Sequence, residues 1–246
     1  MAKLEVTEAL VRALVREVAP IVERLTGWQL RAEQMAVCVI PKTQAYEEVF
    51  LARLQRLSPS GDLSAFSEGI VRRLAEYVLE GTALAAYDHT NGTLYVVREN
   101  VDDSNQDGLK VIIGHELVHR GQGLYHPDLL RRTEQVAAEV LTAETISGKI
   151  EKIQEANAVM TLLEGYATLV QGVLRRLYTK AKIERHWGIT ALLFRSLGFL
   201  KARQYTVGAK RLAALESPKE LEALYRSPGR VQELFGAASR RKKATS

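Results

Sequence analysis

The stretch Val111-Ile112-Ile113-Gly114-His115-Glu116-Leu117-Val118-His119 decides how the core of this chain is built. It contains the motif HExxH, and Glu116 is its only formally charged side chain, so the stretch predicts a buried helix. Residues four apart lie on one face of a helix, so His115 and His119 can offer two imidazole nitrogens to one metal ion, with Glu116 beside them. This arrangement is typical of zinc hydrolases.

The setting of Glu116 bears on whether a metal is bound. A carboxylate among apolar residues is costly to ionise unless a cation or hydrogen bonds compensate its charge, and a metal ion would do so. The alternative is an ordinary helix with two core histidines, in which Glu116 is unfavourably placed among apolar residues. The metal interpretation requires a third protein donor, because a catalytic zinc normally has three protein ligands and keeps one position open for water.

Glu164 is the best candidate for that third donor. It is the only charged residue between Glu155 and Arg175, and the apolar residues around it follow the three-four spacing of a long helix packed on a core. Gly165 directly after it would let a neighbouring backbone approach closely. The alternative is a Glu164 paired with a buried arginine.

The predicted cofactor is Zn²⁺, bound by His115, His119 and Glu164. The single Cys38 looks like a small buried apolar residue, so no thiolate takes part. Mn, Co or Ni can occupy the same type of site. The acidic run 102–107 lacks the ligand pattern of a calcium loop and is predicted to cap the HExxH helix instead.

The order of these motifs resembles a known family. An HExxH helix followed by Leu162-Leu163-Glu164-Gly165-Tyr166-Ala167 resembles the gluzincin branch of zinc metallopeptidases. It is most similar to an uncharacterised group of bacterial zincin-like metallopeptidases, some of which are associated with biosynthesis of a deazaflavin cofactor. In that group a Lys-x-x-Gln-Tyr-x-x-Gly segment follows the Glu helix, and Lys201-Ala202-Arg203-Gln204-Tyr205-Thr206-Val207-Gly208 fits it. The resemblance spans residues 80 to 235 and implies a zincin-like metallopeptidase fold.

Two positions depart from the gluzincin pattern. After the second His, most such peptidases have an uncharged residue and then a hydrophobic one, whereas this chain has Arg120 and Gly121. Gluzincins often place an Asp four residues after the ligand Glu to orient a metal-bound His, and Thr168 stands there. Losing such a partner weakens metal affinity about tenfold to a hundredfold, unless Thr168, Asn157 or a backbone carbonyl replaces it.

The residues predict a zinc-dependent peptidase or amide hydrolase acting on a peptide or protein. Glu116 is the predicted general base, which takes a proton from the metal-activated water and hands it to the leaving amine. Tyr205 is predicted to stabilise the oxyanion, with His186 and Tyr166 as second choices. The alternative for Tyr205 is a core aromatic residue. The alternative function is a zinc-containing binding or structural protein of the zincin fold, catalytically weak or inactive.

Length and composition predict one globular domain, since 246 residues with 46% hydrophobic content can bury a substantial core. We expect a single zincin-like domain over 1–246, with an N-terminal helical region 1–80, a metal-site core 81–235 and a flexible basic tail 236–246. The net charge of +5 does not predict a nucleic-acid partner, because basic and acidic residues are mixed along the helices. No apolar run approaches the roughly 20 residues of a membrane span, and no signal-peptide pattern is present, which predicts a cytoplasmic protein.

The pattern of elements predicts an α+β fold, mainly α, with a small sheet or hairpin packed on the HExxH helix. Strands are expected at 35–40 and on both sides of the Asn91-Gly92 turn, with Leu94 to Val97 as the edge strand along the cleft. His126 is expected on a loop rim and His89 exposed. The predicted helices cover 6–25, 43–57, 62–80, the HExxH segment up to a break at 121–123, 128–146 up to a break at 147–148, the Glu164 segment, 188–213, and short helices after Ser217 and Ser227.

Overall fold

The computed structural model describes residues 4–52, 84–101, 104–142, 145–183, 205–215 and 217–235. Within these ranges helix dominates and the strands form one small sheet, so the α+β, mainly α class is confirmed. The helix predicted at 62–80, the tail 236–246 and His186 lie outside the described residues. None of the helices in the described ranges combines the length and apolar character needed to cross a bilayer.

The first helix, α1 (Glu8–Thr26), is bounded by the residues that its sequence favours. The Thr7 hydroxyl oxygen accepts a hydrogen bond from the Leu10 amide, and Gly27 ends the helix with φ of 75°. One face of α1 is buried. It consists of Val11, Leu14, Val15, Val18, Ala19 and Val22.

Among the described residues the sheet has three strands, β1 (Ala36–Ile40), β2 (Ala85–Asp88) and β3 (Thr93–Val97), in the order β1-β3-β2. β1 pairs with β3 in parallel, and β2 pairs with β3 as an antiparallel hairpin. The prediction that Leu94 to Val97 form an edge strand is therefore wrong, because β1 covers the far side of β3. Residue alternation within β3 cannot reveal a partner more than fifty positions away.

The hairpin around Asn91-Gly92 is confirmed. Gly92 has φ of 70°, its amide donates to the Asp88 carbonyl at 2.9 Å, and the Asn91 side chain accepts from the Thr93 amide at 3.0 Å. The helix predicted at 43–57 is irregular in its described part, with a 3₁₀ turn at Lys42–Gln44 and a π-helical turn at Tyr46–Leu51.

The HExxH helix is α2 (Gln106–Tyr125). The Asn105 side chain caps it by accepting from the Gly108 amide at 2.8 Å. The predicted break at 121–123 is wrong, since α2 runs through these residues. Gln122, which lies between the two glycines, is fully buried and hydrogen bonded. These contacts compensate for the low helix propensity of the glycines, each of which costs about 1 kcal/mol relative to alanine.

The described part of the chain after α2 is also mostly helical. The predicted break at 147–148 is displaced, because Ser147 and Gly148 lie in the first turn of the helix that carries Glu164. The described helices after α2 are α3 (Pro127–Thr142), α4 (Ile146–Leu177), α5 (205–212), α6 (Pro218–Tyr225) and α7 (Pro228–Phe235).

The chain divides into two compact units, one made of Met1–Arg120 and Val170–Arg195, the other of Gly121–Leu169 and Ser196–Ser246. In the first unit the buried face of α1 contributes to the core, and a Cβ added at Gly114 of α2 would collide with the Leu174 side chain. In the second unit Gly165 packs on the backbone of Gly208. The expectation of a single zincin-like domain over 1–246 stays a prediction.

Candidate metal centre

The histidine pair lies on an apolar helix, as the sequence predicts. His115 is 8% exposed, and Ile113, Leu117 and Val118 are buried around it. The Nε2 atoms of His115 and His119 lie 3.2 Å apart, and their rings meet edge to face at 76°. The helical spacing of α2 therefore brings the two ring nitrogens close enough to share one ligand.

The distance between these nitrogens fits a shared metal ion. Two nitrogens bound tetrahedrally to one zinc at about 2.0–2.1 Å are roughly 3.3 Å apart. The observed 3.2 Å between His115 and His119 matches that edge of the coordination shell. In the absence of an ion the same distance suits a hydrogen bond between the two imidazoles.

Glu164 completes the donor set. Its side chain is 9% exposed on α4, and one of its oxygens and a ring nitrogen of each histidine all lie within 4.8 Å of one another. Two imidazoles and one carboxylate form a three-ligand set that leaves a position open, as in catalytic zinc sites. His115, His119 and Glu164 can thus hold a metal ion, as predicted.

Gly165 explains how the helix that carries Glu164 can pack so tightly. A Cβ added at Gly165 would lie 2.6 Å from the Gly208 carbonyl carbon and 2.9 Å from the Ala209 nitrogen. Backbone atoms cannot move aside as a flexible side chain can. The predicted role of Gly165, a close approach of a neighbouring backbone, is therefore confirmed, with α5 as the neighbour.

The carboxylate of Glu116 is held by the sheet. Its Oε2 accepts a hydrogen bond from the Tyr87 amide at 2.9 Å. The Val97 amide donates to the Leu84 carbonyl, so alternation along the antiparallel pair turns the Tyr87 amide away from β3. The outer edge of β2, rather than of β3, therefore lies beside the motif helix.

Arg120, which departs from the gluzincin pattern, is an internal residue. It is 4% exposed, and its guanidinium donates to the carbonyls of Leu30 and Arg31 and to the Tyr87 hydroxyl. Through these hydrogen bonds the buried arginine links α2 to β2 and to the backbone at Leu30 and Arg31.

Gln122 and Tyr225 are site-supporting residues that the sequence reasoning missed. The Gln122 amide donates to the Leu163 carbonyl and to the Tyr225 hydroxyl, each at 2.9 Å. Gln122 lies three positions after His119, and Leu163 precedes Glu164, so this amide fixes the backbone next to a ligand. The sequence signal for Gln122 is the spacing HxxQ on a helix, and the predicted break at 121–123 conceals it.

His126 lies in the link between α2 and α3, but it is buried at 7% exposure and not on a loop rim as the sequence predicts. Its ring stacks on Tyr225 at a centroid distance of 4.2 Å, and its Nε2 is 3.5 Å from a Glu222 oxygen. Burial lowers the pKa of His126, an effect that Glu222 partly opposes and Arg226 reinforces. Burial also holds the pKa of Tyr225 well above its usual value. The apolar contact with Tyr225 explains why the ring is inside.

The structure says less about the roles of the other candidate residues. Tyr205 begins α5 and is half-buried, and its role at the oxyanion stays a prediction. Tyr166 packs edge to face on Tyr225 at 6.3 Å, and burial raises its pKa. The Thr168 hydroxyl is buried and has no hydrogen-bond partner within the described part of the chain. His89 is half-buried rather than exposed.

Comparison with known proteins gives little beyond this geometry. No protein-family model matches the chain, and no curated protein matches it. A solved structure from Chloroflexus aurantiacus, described as a "putative hydrolase with a novel fold", is 16% identical, with a TM-score of 0.48 over 91% of this chain and 88% of that chain. Likeness at that level supports no conclusion about activity, and the resemblance to gluzincins stays a prediction.

Proposed function

We propose that this chain is a zinc-dependent peptidase or amide hydrolase of zincin-like fold. The observation that carries the proposal is the group of His115, His119 and Glu164, with Glu116 directly after His115 on the helix that carries both histidines. Zinc is preferred because two imidazoles and one carboxylate are a donor set of catalytic zinc, and Mn, Co or Ni would compete for it.

The donor set and Glu116 have complementary roles in amide hydrolysis. Bound zinc would supply Lewis acidity, which polarises a substrate carbonyl and brings the pKa of a water towards neutrality. The Glu116 Oε2 accepts the Tyr87 amide, which leaves Oε1 to take a proton from the attacking water. As the C–N bond breaks, the same oxygen gives that proton to the leaving amine, so Glu116 ends the cycle ionised.

The outer edge of β2 supports a peptide as the substrate. An extended peptide can add to an exposed strand edge through main-chain hydrogen bonds. The Tyr87 amide at this edge is already donated to Glu116, so a peptide aligned along β2 would run beside the proposed base and bond to other outward main-chain groups, such as those of Ala85. Tyr205 is the proposed oxyanion stabiliser.

The alternative is a metal-binding protein without turnover. It is favoured by Thr168, whose buried hydroxyl occupies the position where gluzincins often have a carboxylate that orients a ligand. Such a protein would bind zinc through the same three residues and leave peptides intact.

The substitution Glu116→Gln separates the two functions, because it removes the base and keeps its size. The wild-type protein, Glu116→Gln and the exposed-site control Glu151→Gln would each be loaded with zinc and incubated with a peptide library. We expect equal zinc content in all three, with cleavage reduced about a hundredfold or more in Glu116→Gln alone. Equal background cleavage by all three zinc-loaded proteins would contradict the hydrolase and favour the alternative.

A further inference from the structure

The guanidinium of Arg120 joins three parts of the chain at one buried point. Its Nε donates to the Leu30 carbonyl at 2.5 Å, and its two Nη atoms donate to the Arg31 carbonyl at 2.8 Å and the Tyr87 hydroxyl at 3.1 Å. The cation also lies 5.7 Å from the centre of the Tyr87 ring. Only the planar fork of an arginine offers donors in these several directions.

The backbone that receives Arg120 is strained. Arg31 has φ of 49° and ψ of 49°, a left-handed conformation that is unfavourable for a residue other than glycine. Such a conformation persists only where the surroundings impose it. The two carbonyls that Arg120 binds belong to Leu30 and Arg31 themselves, so the strained turn is tied to α2 through this side chain.

Arg120 and Glu116 contact the same residue from one face of α2. They are four positions apart on the helix, and Tyr87 lies against both. Its hydroxyl accepts from Arg120, while its amide donates to Glu116 at 2.9 Å. Tyr87 is therefore held at its side chain and at its backbone by one turn of the motif helix.

We propose that Arg120 is a positioning residue, which acts through Tyr87 to fix the amide that orients the Glu116 carboxylate. Its consequence for catalysis rests on the proposed function, whereas the positioning itself needs no turnover. A charged residue directly after the second motif histidine is then part of the site. Arg120 orients Glu116 indirectly, through Tyr87 of β2.

The hydrogen bond from Tyr87 to Glu116 can be followed by NMR of the zinc-loaded protein labelled with ¹⁵N-tyrosine. Glu116→Ala gives the Tyr87 amide shift when the bond is absent. We expect Arg120→Met to move that amide most of the way to the same shift. The matched control is Arg12→Met, which removes another arginine that donates to a backbone carbonyl, that of Val37 at 3.3 Å. It should leave the Tyr87 amide unchanged.

Arg120→Lys covers the case in which Arg120→Met does not fold. One ammonium cannot reach all three acceptors, so the Tyr87 amide should shift partway in Arg120→Lys. A folded Arg120→Met or Arg120→Lys protein whose Tyr87 amide coincides with that of the wild type would overturn the proposal.

Steady-state kinetics test whether the position of Arg120 affects catalysis. With zinc content unchanged, Arg120→Lys should lower kcat roughly 10- to 100-fold and leave KM close to the wild-type value, since the base is misplaced and the substrate contacts remain. Arg12→Met should leave both constants unchanged. Unchanged kcat in Arg120→Lys would refute the positioning role in catalysis, whereas absence of cleavage by the wild type would refute the proposed function and leave the NMR result standing.

Discussion

The Nε2 atoms of His115 and His119 lie 3.2 Å apart on successive turns of one buried helix, and a carboxylate oxygen of Glu164 lies within 4.8 Å of the histidine ligand atoms. The two histidines are brought together by helix geometry alone. Glu164 lies on another helix and depends on tertiary packing for its position.

The contact between Gly165 and Gly208 predicts the effect of adding one methyl group. Gly165→Ala places a Cβ against rigid backbone, so we expect the free energy of unfolding to fall by about 1–3 kcal/mol. Zinc affinity should fall as well, because Glu164 is the adjacent residue. Chemical denaturation and zinc titration measure the two effects.

Gly172 provides a matched control in the same helix. A Cβ at Gly172 meets nothing within 4 Å, so Gly172→Ala should raise the free energy of unfolding by up to about 1 kcal/mol through helix propensity. Zinc affinity should not change. Equal effects of Gly165→Ala and Gly172→Ala would contradict the close packing described for α4.

The buried amide of Gln122 predicts a coupled pair of substitutions. Gln122→Leu leaves the Tyr225 hydroxyl without this donor, so the free energy of unfolding should fall by about 1–3 kcal/mol. Tyr225→Phe should be costly in the wild type and nearly neutral once Gln122→Leu is present. Strictly additive losses in this double-mutant cycle would show that the hydrogen bond has no energetic role.

His126 predicts a dependence of stability on pH. Burial lowers its pKa below the ordinary 6.5, so below that pH the unfolded chain binds a proton that the folded chain refuses. Stability should therefore decrease as the pH falls from 6.5 towards the lowered pKa. The control is His126→Phe, which retains an aromatic ring for stacking on Tyr225 and does not titrate.

Denaturant unfolding of both proteins from about pH 7 to about pH 5 measures the difference. All other titratable groups are the same in both proteins, so their contributions cancel in the comparison. We expect the wild type to lose stability more steeply than His126→Phe. Parallel curves would mean that His126 is protonated as easily inside the protein as in the unfolded chain.

Local patterns in the sequence predicted those features that depend on one helix or one turn. The spacing of His115 and His119, the lone charge of Glu164 among apolar residues, Gly165 as a point of close approach, and the Asn91-Gly92 turn all follow from periodicity and residue type. The structure agrees with each of them. In each case the decisive neighbours are within a few positions, or the residue type itself excludes most alternatives.

Features that depend on distant partners could not be predicted in this way. The pairing of β1 with β3 made β3 central, and the donors of Arg120 are satisfied by carbonyls some ninety positions earlier. Gln122 stabilises a glycine-flanked turn through contacts in two other helices, which propensity does not include. His126 is buried because Tyr225, about a hundred positions later, stacks on it.

The most direct test of the metal centre is elemental analysis of the purified protein and of Glu164→Ala, with Glu151→Ala as the control for loss of an exposed carboxylate on the same helix. We predict stoichiometric zinc in the wild type and in Glu151→Ala, and loss of most of it in Glu164→Ala, as in His115→Ala. Stoichiometric zinc retained by a folded Glu164→Ala protein would contradict the assignment of Glu164 as the third ligand.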